Sequence, residues 1–268
     1  MLDLEIREAL TEWKRQSSTV VGLHPVFVAG EDDCETISIY RLNLKKGDSE
    51  KLCSSHLELH AVVIRGRVKV EGPSFKDLEL KRFDSIYFVK DHEVTVTALE
   101  DCFLYIAGAE DDGVGEDSYR IYDPDLPIGD IHQIHGSGMG EREVSFTLDP
   151  GTKASRLICG ITWGNVGAWT SWPPHQHEND LEEAYCYFDK DEKTPCIGMH
   201  YSYLESGRFD DAVVHTVKDG TVVIAPYGYH PTSSTPAGRN AYFWALAAFR
   251  PTSRRYDLAV LDPAYANS

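Results

Sequence analysis

The sequence has no apolar run that approaches the roughly 20 residues a membrane-spanning helix needs. Its first 14 residues are charged and mixed, without the apolar stretch of a secretory leader, so the expected compartment is the cytoplasm. Positive charge is scarce. Lys and Arg total 26 against 43 Asp and Glu, a formal net charge of −17. Such a surface repels phosphate backbones and anionic lipid, which argues against nucleic-acid and membrane partners. Cysteine is sparse and unpaired by motif: Cys34, Cys53, Cys102, Cys159, Cys186 and Cys196 form no Cys-x-x-Cys. Most lie in apolar stretches, so reduced, buried thiols are expected rather than a disulfide framework. There is no Walker A loop and no Gly-x-Ser-x-Gly elbow. The glycine-rich Gly136-Ser137-Gly138-Met139-Gly140 lacks the strand before it and helix after it that a dinucleotide site requires.

What is present is strand. The 268 residues, 42% hydrophobic and 11% aromatic, can build a large core in one domain or two. Runs rich in β-branched and aromatic residues occupy 36–44, 61–70, 85–90, 94–99, 103–107, 157–163, 183–188, 200–203, 221–225 and 241–248. Turn-forming residues separate many of them, the pattern of an all-β sandwich or barrel. One amphipathic helix is expected at 4–14, with Leu4, Ile6, Leu10 and Trp13 as its apolar positions. Residues 121–140 carry Pro124, Pro127, His132 and His135 among glycines, and read as a solvated linker between halves at 1–120 and 141–268. The halves look like a degenerate repeat. Each runs strand, turn with a late histidine (His92, His230), then an aromatic strand, and two small barrels in tandem is the economical reading.

The chemistry concentrates in the second half. Trp172-Pro173-Pro174-His175-Gln176-His177 is followed by Glu182-Glu183-Ala184-Tyr185-Cys186-Tyr187 and later by Gly228-Tyr229-His230-Pro231. Residues i and i+2 of a strand share a face, so His175 and His177 aim at one point. A tight turn through Asn179-Asp180 returns the chain to a carboxylate. Glu182 and Glu183 compete for that role, and Glu183 is preferred because alternation puts Tyr185 and Tyr187 on its face. Three neutral imidazoles and one carboxylate suit Zn²⁺, Mn²⁺ or Fe²⁺, with positions left for substrate oxygens. The first half offers His56, Glu58, His60 and His92, but no His-x-His with a matching glutamate, so structural roles are expected there.

This pattern resembles the cupins. More narrowly, Trp169–Pro174 with His175-Gln176-His177, Leu181-Glu182-Glu183-Ala184-Tyr185 and Ala225-Pro226-Tyr227-Gly228-Tyr229-His230-Pro231 resemble the 5-deoxy-glucuronate isomerase family of myo-inositol catabolism. The related 5-keto-4-deoxyuronate isomerases of pectin breakdown share the pattern. The resemblance implies a bicupin, two tandem double-stranded β-helix (jelly-roll) barrels with the first degenerate. It implies metal ligands His175, His177, Glu183 and His230, and zinc as the usual metal with manganese possible.

The activity the resemblance implies is aldose–ketose isomerisation of a deoxy-uronate, 5-deoxy-glucuronate first and 5-keto-4-deoxyuronate as the alternative, with a cupin dioxygenase using Fe²⁺ as the competing class and a non-catalytic sugar-acid-binding bicupin as a third. Candidates for the proton-carrying group are Glu182, Tyr185, Tyr187, His200 and Tyr201. Arg208 and Arg239 are candidates for the substrate carboxylate, and Trp172, Tyr229 and Trp244 for the pocket wall. The expected partners are a small sugar acid and further copies of the chain in a homo-oligomer.

Overall fold

Pairing turns these runs into two sandwiches. The computed structural model describes residues 4–189 and 197–268. Strand pairings in both halves are antiparallel. In the first half a sheet ordered Ser118–Arg120, Ser85–Phe88, Leu57–Arg65, Cys102–Glu110, Ser38–Leu44 and Gly22–Phe27 faces one ordered Ser49–Leu52, Val94–Ala98, Val68–Glu71 and Leu78–Leu80. In the second half a sheet ordered Lys14–Gln16, Thr221–Ala225, Leu181–Tyr187, Arg239–Ala248, Leu157–Val166, Arg142–Leu148 and His132–His135 faces one ordered Trp169–Thr170, Thr232–Ser234, Gly198–Ser202 and Val213–Val217. Five strands of each large sheet correspond in order, while the edges differ and the second sheet has seven strands to the first sheet's six, which gives the degenerate repeat a structural form.

The two large sheets stand back to back. Ile39, Val62, Tyr105 and Ala107 of one share a core with Cys159, Cys186, Ile224, Phe243 and Ala245 of the other. Each large sheet is therefore buried on both faces, which is why Cys102–Glu110 and Arg239–Ala248 read as continuous apolar runs. The small sheets face solvent on one side, and Val213–Val217 alternates buried and exposed.

Two buried carboxylates lace the halves together. Glu58 accepts backbone N–H bonds from Ser155, Arg156 and Leu157 at 2.6, 2.8 and 2.7 Å. Glu182 accepts from the backbone of Glu35, Thr36 and Ile37 at 2.7, 2.7 and 3.1 Å, and from the Thr36 hydroxyl at 2.7 Å. They hold equivalent places: Glu58 pairs across its strand with Ala109, Glu182 with Ala247. The residue that follows is Leu59 in the first half and Glu183 in the second. Leu59 packs with Leu42, Ala61, Val70 and Ile106 in an apolar barrel interior.

Four details differ from the sequence reading. The helix spans Leu4–Thr11 only, with Leu4 and Ile6 exposed while Leu10 is buried; Lys14–Gln16 is a strand on the edge of the second half's large sheet. Residues 61–70 are two strands, because Gly66 turns the chain at φ +82 where a Cβ would meet the Asp101 carbonyl at 2.5 Å. Within residues 121–140, His132–His135 pairs with Arg142–Ser145 and extends the second half's sheet. Neither histidine there is freely solvated: His132 Nδ1 bonds the Leu126 carbonyl at 2.6 Å, and His135 lines a cavity described below. Cys34, Cys102, Cys159 and Cys186 are buried free thiols and Cys53 is exposed, while Cys196 lies outside the described residues.

Candidate metal centre and cavity

The mouth of the second barrel gathers His175, His177, Glu183 and His230. His175-Gln176 is a short strand that pairs with Val260–Leu261 near the C-terminus. Glu183 sits in Leu181–Tyr187, opposite Ala225, and His230 follows the Pro226-Tyr227-Gly228 turn. Ligand atoms of His175, Glu183 and His230 all lie within 4.8 Å of one another. His177 Nε2 and His230 Nε2 lie 3.1 and 3.2 Å from the same Glu183 oxygen.

The outer shell orients every ring the same way. His175 Nδ1 meets the Pro173 carbonyl at 3.1 Å, His177 Nδ1 the Leu181 carbonyl at 2.9 Å, and His230 Nδ1 the Gly228 carbonyl at 2.9 Å. A carbonyl only accepts, so each Nδ1 carries the proton and each Nε2 turns a lone pair inward. His177 then has oxygen acceptors against both nitrogens, which a neutral imidazole cannot satisfy. His230 Nε2 is buried without a hydrogen bond of acceptable geometry. A cation between the imidazoles and the carboxylate resolves both conflicts, so these residues fit a divalent metal.

The charge state of His175 agrees with the lone-pair arrangement. Burial, reinforced by His230, pushes the His175 imidazole down to about 3. Burial works against ionisation of Glu183, but its contacts with His177 and His230 hold the carboxyl well below its ordinary value. Burial and the Glu183 charge push the Tyr185 phenol well up, so it stays protonated. Its hydroxyl donates to Glu183 at 2.8 Å and lies 2.9 Å from Ser171 Oγ.

A cavity of about 300 Å³ opens over this cluster. Its wall includes His175, His177, Glu183 and Tyr185, with Trp172 and Trp244 from the expected wall residues. His135, Arg142, Tyr242 and Tyr256 line it too, with Thr162 and Ser171, and no sequence pattern pointed to Arg142, Tyr242 or Tyr256. Ala259 and Leu261 close one side as part of a C-terminal strap. Asp262 pins that strap: its N–H donates to the Pro174 carbonyl at 2.8 Å, and its carboxylate accepts from Tyr203, Ser206, Gly207 and Ala264 at 2.8, 2.6, 3.0 and 2.9 Å.

Other candidates fall elsewhere. Glu182 points away from the cavity into the joint between halves, because it neighbours Glu183 on a strand and takes the opposite face. Tyr187 and His200 lie deeper in the barrel, 2.9 Å apart through Tyr187 Oη and His200 Nδ1. Tyr201 turns outward by the same alternation and stacks on Trp169 with centroids 5.2 Å apart. Arg208 pairs with Asp210 and Asp211 at the surface. Arg239 lines a separate groove with Arg82, Phe83 and Trp163. Tyr229 stacks on Tyr203 at 5.0 Å, off the cavity wall. In the first half, Glu58 is the lacing carboxylate, His60 bonds Thr147 Oγ1 at 2.9 Å, and His92 bonds Asp117 at 2.7 Å.

Back-to-back antiparallel barrels, one with a His-x-His, a glutamate and a late histidine at its mouth, define a bicupin. The fold is shared by an IolB-like protein from Salmonella typhimurium LT2, at a TM-score of 0.78 and 23% identity over 94% of this chain and 97% of that one. It is shared too by the oxalate decarboxylase of Lactobacillus farciminis, at 0.59 and 12% over 89% and 86%. The KduI/IolB family profile matches residues 15–267, and the chain belongs to that family. A protein of Bacillus subtilis strain 168 named 5-deoxy-glucuronate isomerase is 25% identical over 257 residues, 87% of this chain and 88% of the relative. Relatives of the same name from Geobacillus kaustophilus and Geobacillus thermodenitrificans are 32% and 30% identical, over 43% and 61% of this chain. Those two alignments span 43% and 59% of the relatives' own length, about half.

Proposed function

We propose that the protein is a metal-dependent intramolecular oxidoreductase that interconverts aldose and ketose forms of a deoxy-uronate, with 5-deoxy-glucuronate in myo-inositol catabolism as the substrate. The observation that carries this reading is the inward turn of three imidazole Nε2 atoms onto Glu183 inside a cavity, in a chain of the KduI/IolB family. The relatives named 5-deoxy-glucuronate isomerase support the substrate.

His175, His177, Glu183 and His230 would hold the cation, zinc in the first instance. When bound, it supplies a Lewis acid that acidifies the C–H beside the substrate carbonyl. The remaining work belongs to side chains. Three carbonyl acceptors keep the imidazoles in one orientation. The Tyr185 hydroxyl donates to Glu183 and fixes that carboxylate. Of the five proton-carrier candidates it is the one on the cavity wall, and burial with the Glu183 charge keeps its hydroxyl protonated at neutral pH. Trp172, Trp244 and Tyr256 keep water from the reacting carbons.

The test is to incubate zinc-loaded protein with 5-deoxy-glucuronate in D₂O and follow products by NMR. The expected result is conversion to the ketose with solvent deuterium at the carbon beside the carbonyl. Neither conversion nor exchange, with this substrate and with 5-keto-4-deoxyuronate, would sink the proposal. Bound iron with oxygen uptake would support a dioxygenase instead.

A further inference from the structure

We infer that Arg142 is the carboxylate anchor of the cavity and makes the site select an anionic sugar over a neutral one. The inference rests on the sugar-acid reading above and assigns the residue that reads the acid. Among the described residues Arg142 is the sole lysine or arginine on the cavity wall, which it shares with His175, His177 and Glu183.

Its guanidinium is held from behind. Nη1 donates to the Trp172 carbonyl at 2.8 Å and reaches the Gly140 carbonyl at 3.4 Å. Among the described residues no carboxylate pairs with it, and no acceptor takes Nε or Nη2. Arg15, Arg67, Arg82, Arg120, Arg156 and Arg208 each pair with an acidic side chain. Arg142 thus offers the cavity a fixed positive charge with a free planar edge, which matches a carboxylate in bidentate fashion.

The neighbouring group does not supply a competing charge. His135 faces Arg142 across the strand pair, and its Nε2 meets Gln133 Oε1 at 2.7 Å. Burial and the Arg142 charge hold the His135 imidazole below its usual pKa, so it stays neutral at pH 7. A cavity of about 300 Å³ is the size of a small-ligand site, enough to hold a six-carbon sugar acid at two points. The Glu183 cluster would take the carbonyl end and Arg142 the carboxylate end, which sets the direction in which the substrate lies.

The test is calorimetric titration of the zinc-loaded protein with glucuronate and with glucose, on wild type, R142Q and R142K. R142Q removes the charge and keeps a polar amide, and R142K keeps the charge but loses the fork. Zinc content and thermal midpoint, measured on the same samples, report that each variant is folded. Wild type is expected to favour glucuronate. R142Q is expected to lose roughly 10- to 100-fold in glucuronate affinity with glucose binding unchanged, and R142K to lose less. Wild type without a preference, or both variants folded with wild-type glucuronate affinity, would overturn the anchor. The two proposals fail separately. Selective binding that R142Q abolishes, in a protein that converts no uronate, refutes the isomerase and keeps the anchor. Conversion with unaltered affinity in the variants refutes the anchor and keeps the isomerase.

Discussion

Glu182 and Glu183 are neighbours with opposite tasks, and the two-residue period of a strand is the reason. Glu183 faces the barrel mouth and meets His177, His230 and Tyr185. Glu182 faces the joint and satisfies three backbone N–H groups and a hydroxyl from the other half. Glu182→Ala would leave those buried donors unpaired, a cost of about 3 kcal/mol or more. Urea denaturation should show that loss while metal content per folded chain stays constant; a variant of unchanged stability but no bound metal would contradict the assignment. The two faces were legible in the sequence as alternation, and the aromatic pair Tyr185 and Tyr187 marked the inner one. What alternation cannot tell is depth. Tyr185 reaches the cavity while Tyr187, one step further along the strand, is sealed against His200 and Thr232. Arg142 was illegible for a related reason: its place on the wall depends on which strands flank it, and the flanking strand His132–His135 lies in a segment whose glycines and prolines read as linker.

Among the elements, the C-terminal strap depends least on regular structure and most on one side chain. Val260–Leu261 is a two-residue strand on the His175-Gln176 edge, too short to show a period, so nothing in the sequence marked it. Asp262 holds it with four hydrogen bonds to its carboxylate, which outweigh burial and keep its carboxyl below the ordinary aspartate value. Asp262→Ala should release the strap before the barrel unfolds. Amide hydrogen exchange at residues 260–262 and 175–176 should then speed by tenfold or more, with Leu181–Tyr187 still protected. Unchanged exchange at the strap would show that packing of Tyr256 and Tyr265, not Asp262, holds it. By contrast the long strands were legible: Thr221–Ala225 coincides with its apolar run, and Arg239–Ala248 and Leu157–Val166 extend theirs by two or three residues.

At the scale of the whole molecule, the back-to-back sheets bury titratable groups between the halves. His60 stacks on Phe243 with centroids 6.2 Å apart, and burial with the nearby Arg120 pushes its imidazole down to about 3 from 6.5. The unfolded chain therefore binds a proton at His60 between those values that the native state refuses. Stability from this residue is complete above pH 6.5 and declines as pH falls toward 3, by about 1.4 kcal/mol per pH unit. His200 and His215 are shifted the same way by burial and add to the slope. Chemical denaturation of His60→Gln against wild type from pH 7 to 4.5 should show a shallower decline in the variant; parallel curves would mean that His60 titrates normally. The repeat was visible in sequence as late histidines ahead of aromatic strands, but the packing of one half on the other was not. It rests on the shared apolar core and on Glu58 and Glu182, whose partners lie about a hundred residues or more away in the chain.

The proposed site holds one cation with four side chains, His175, His177, Glu183 and His230. Elemental analysis of the purified protein, beside a His175→Ala/His177→Ala variant prepared identically, measures it directly. The prediction is about one equivalent of zinc or manganese per chain, lost in the variant while thermal unfolding stays cooperative. Metal absent from the wild type even after reloading, or retained in full by the variant, would contradict the account.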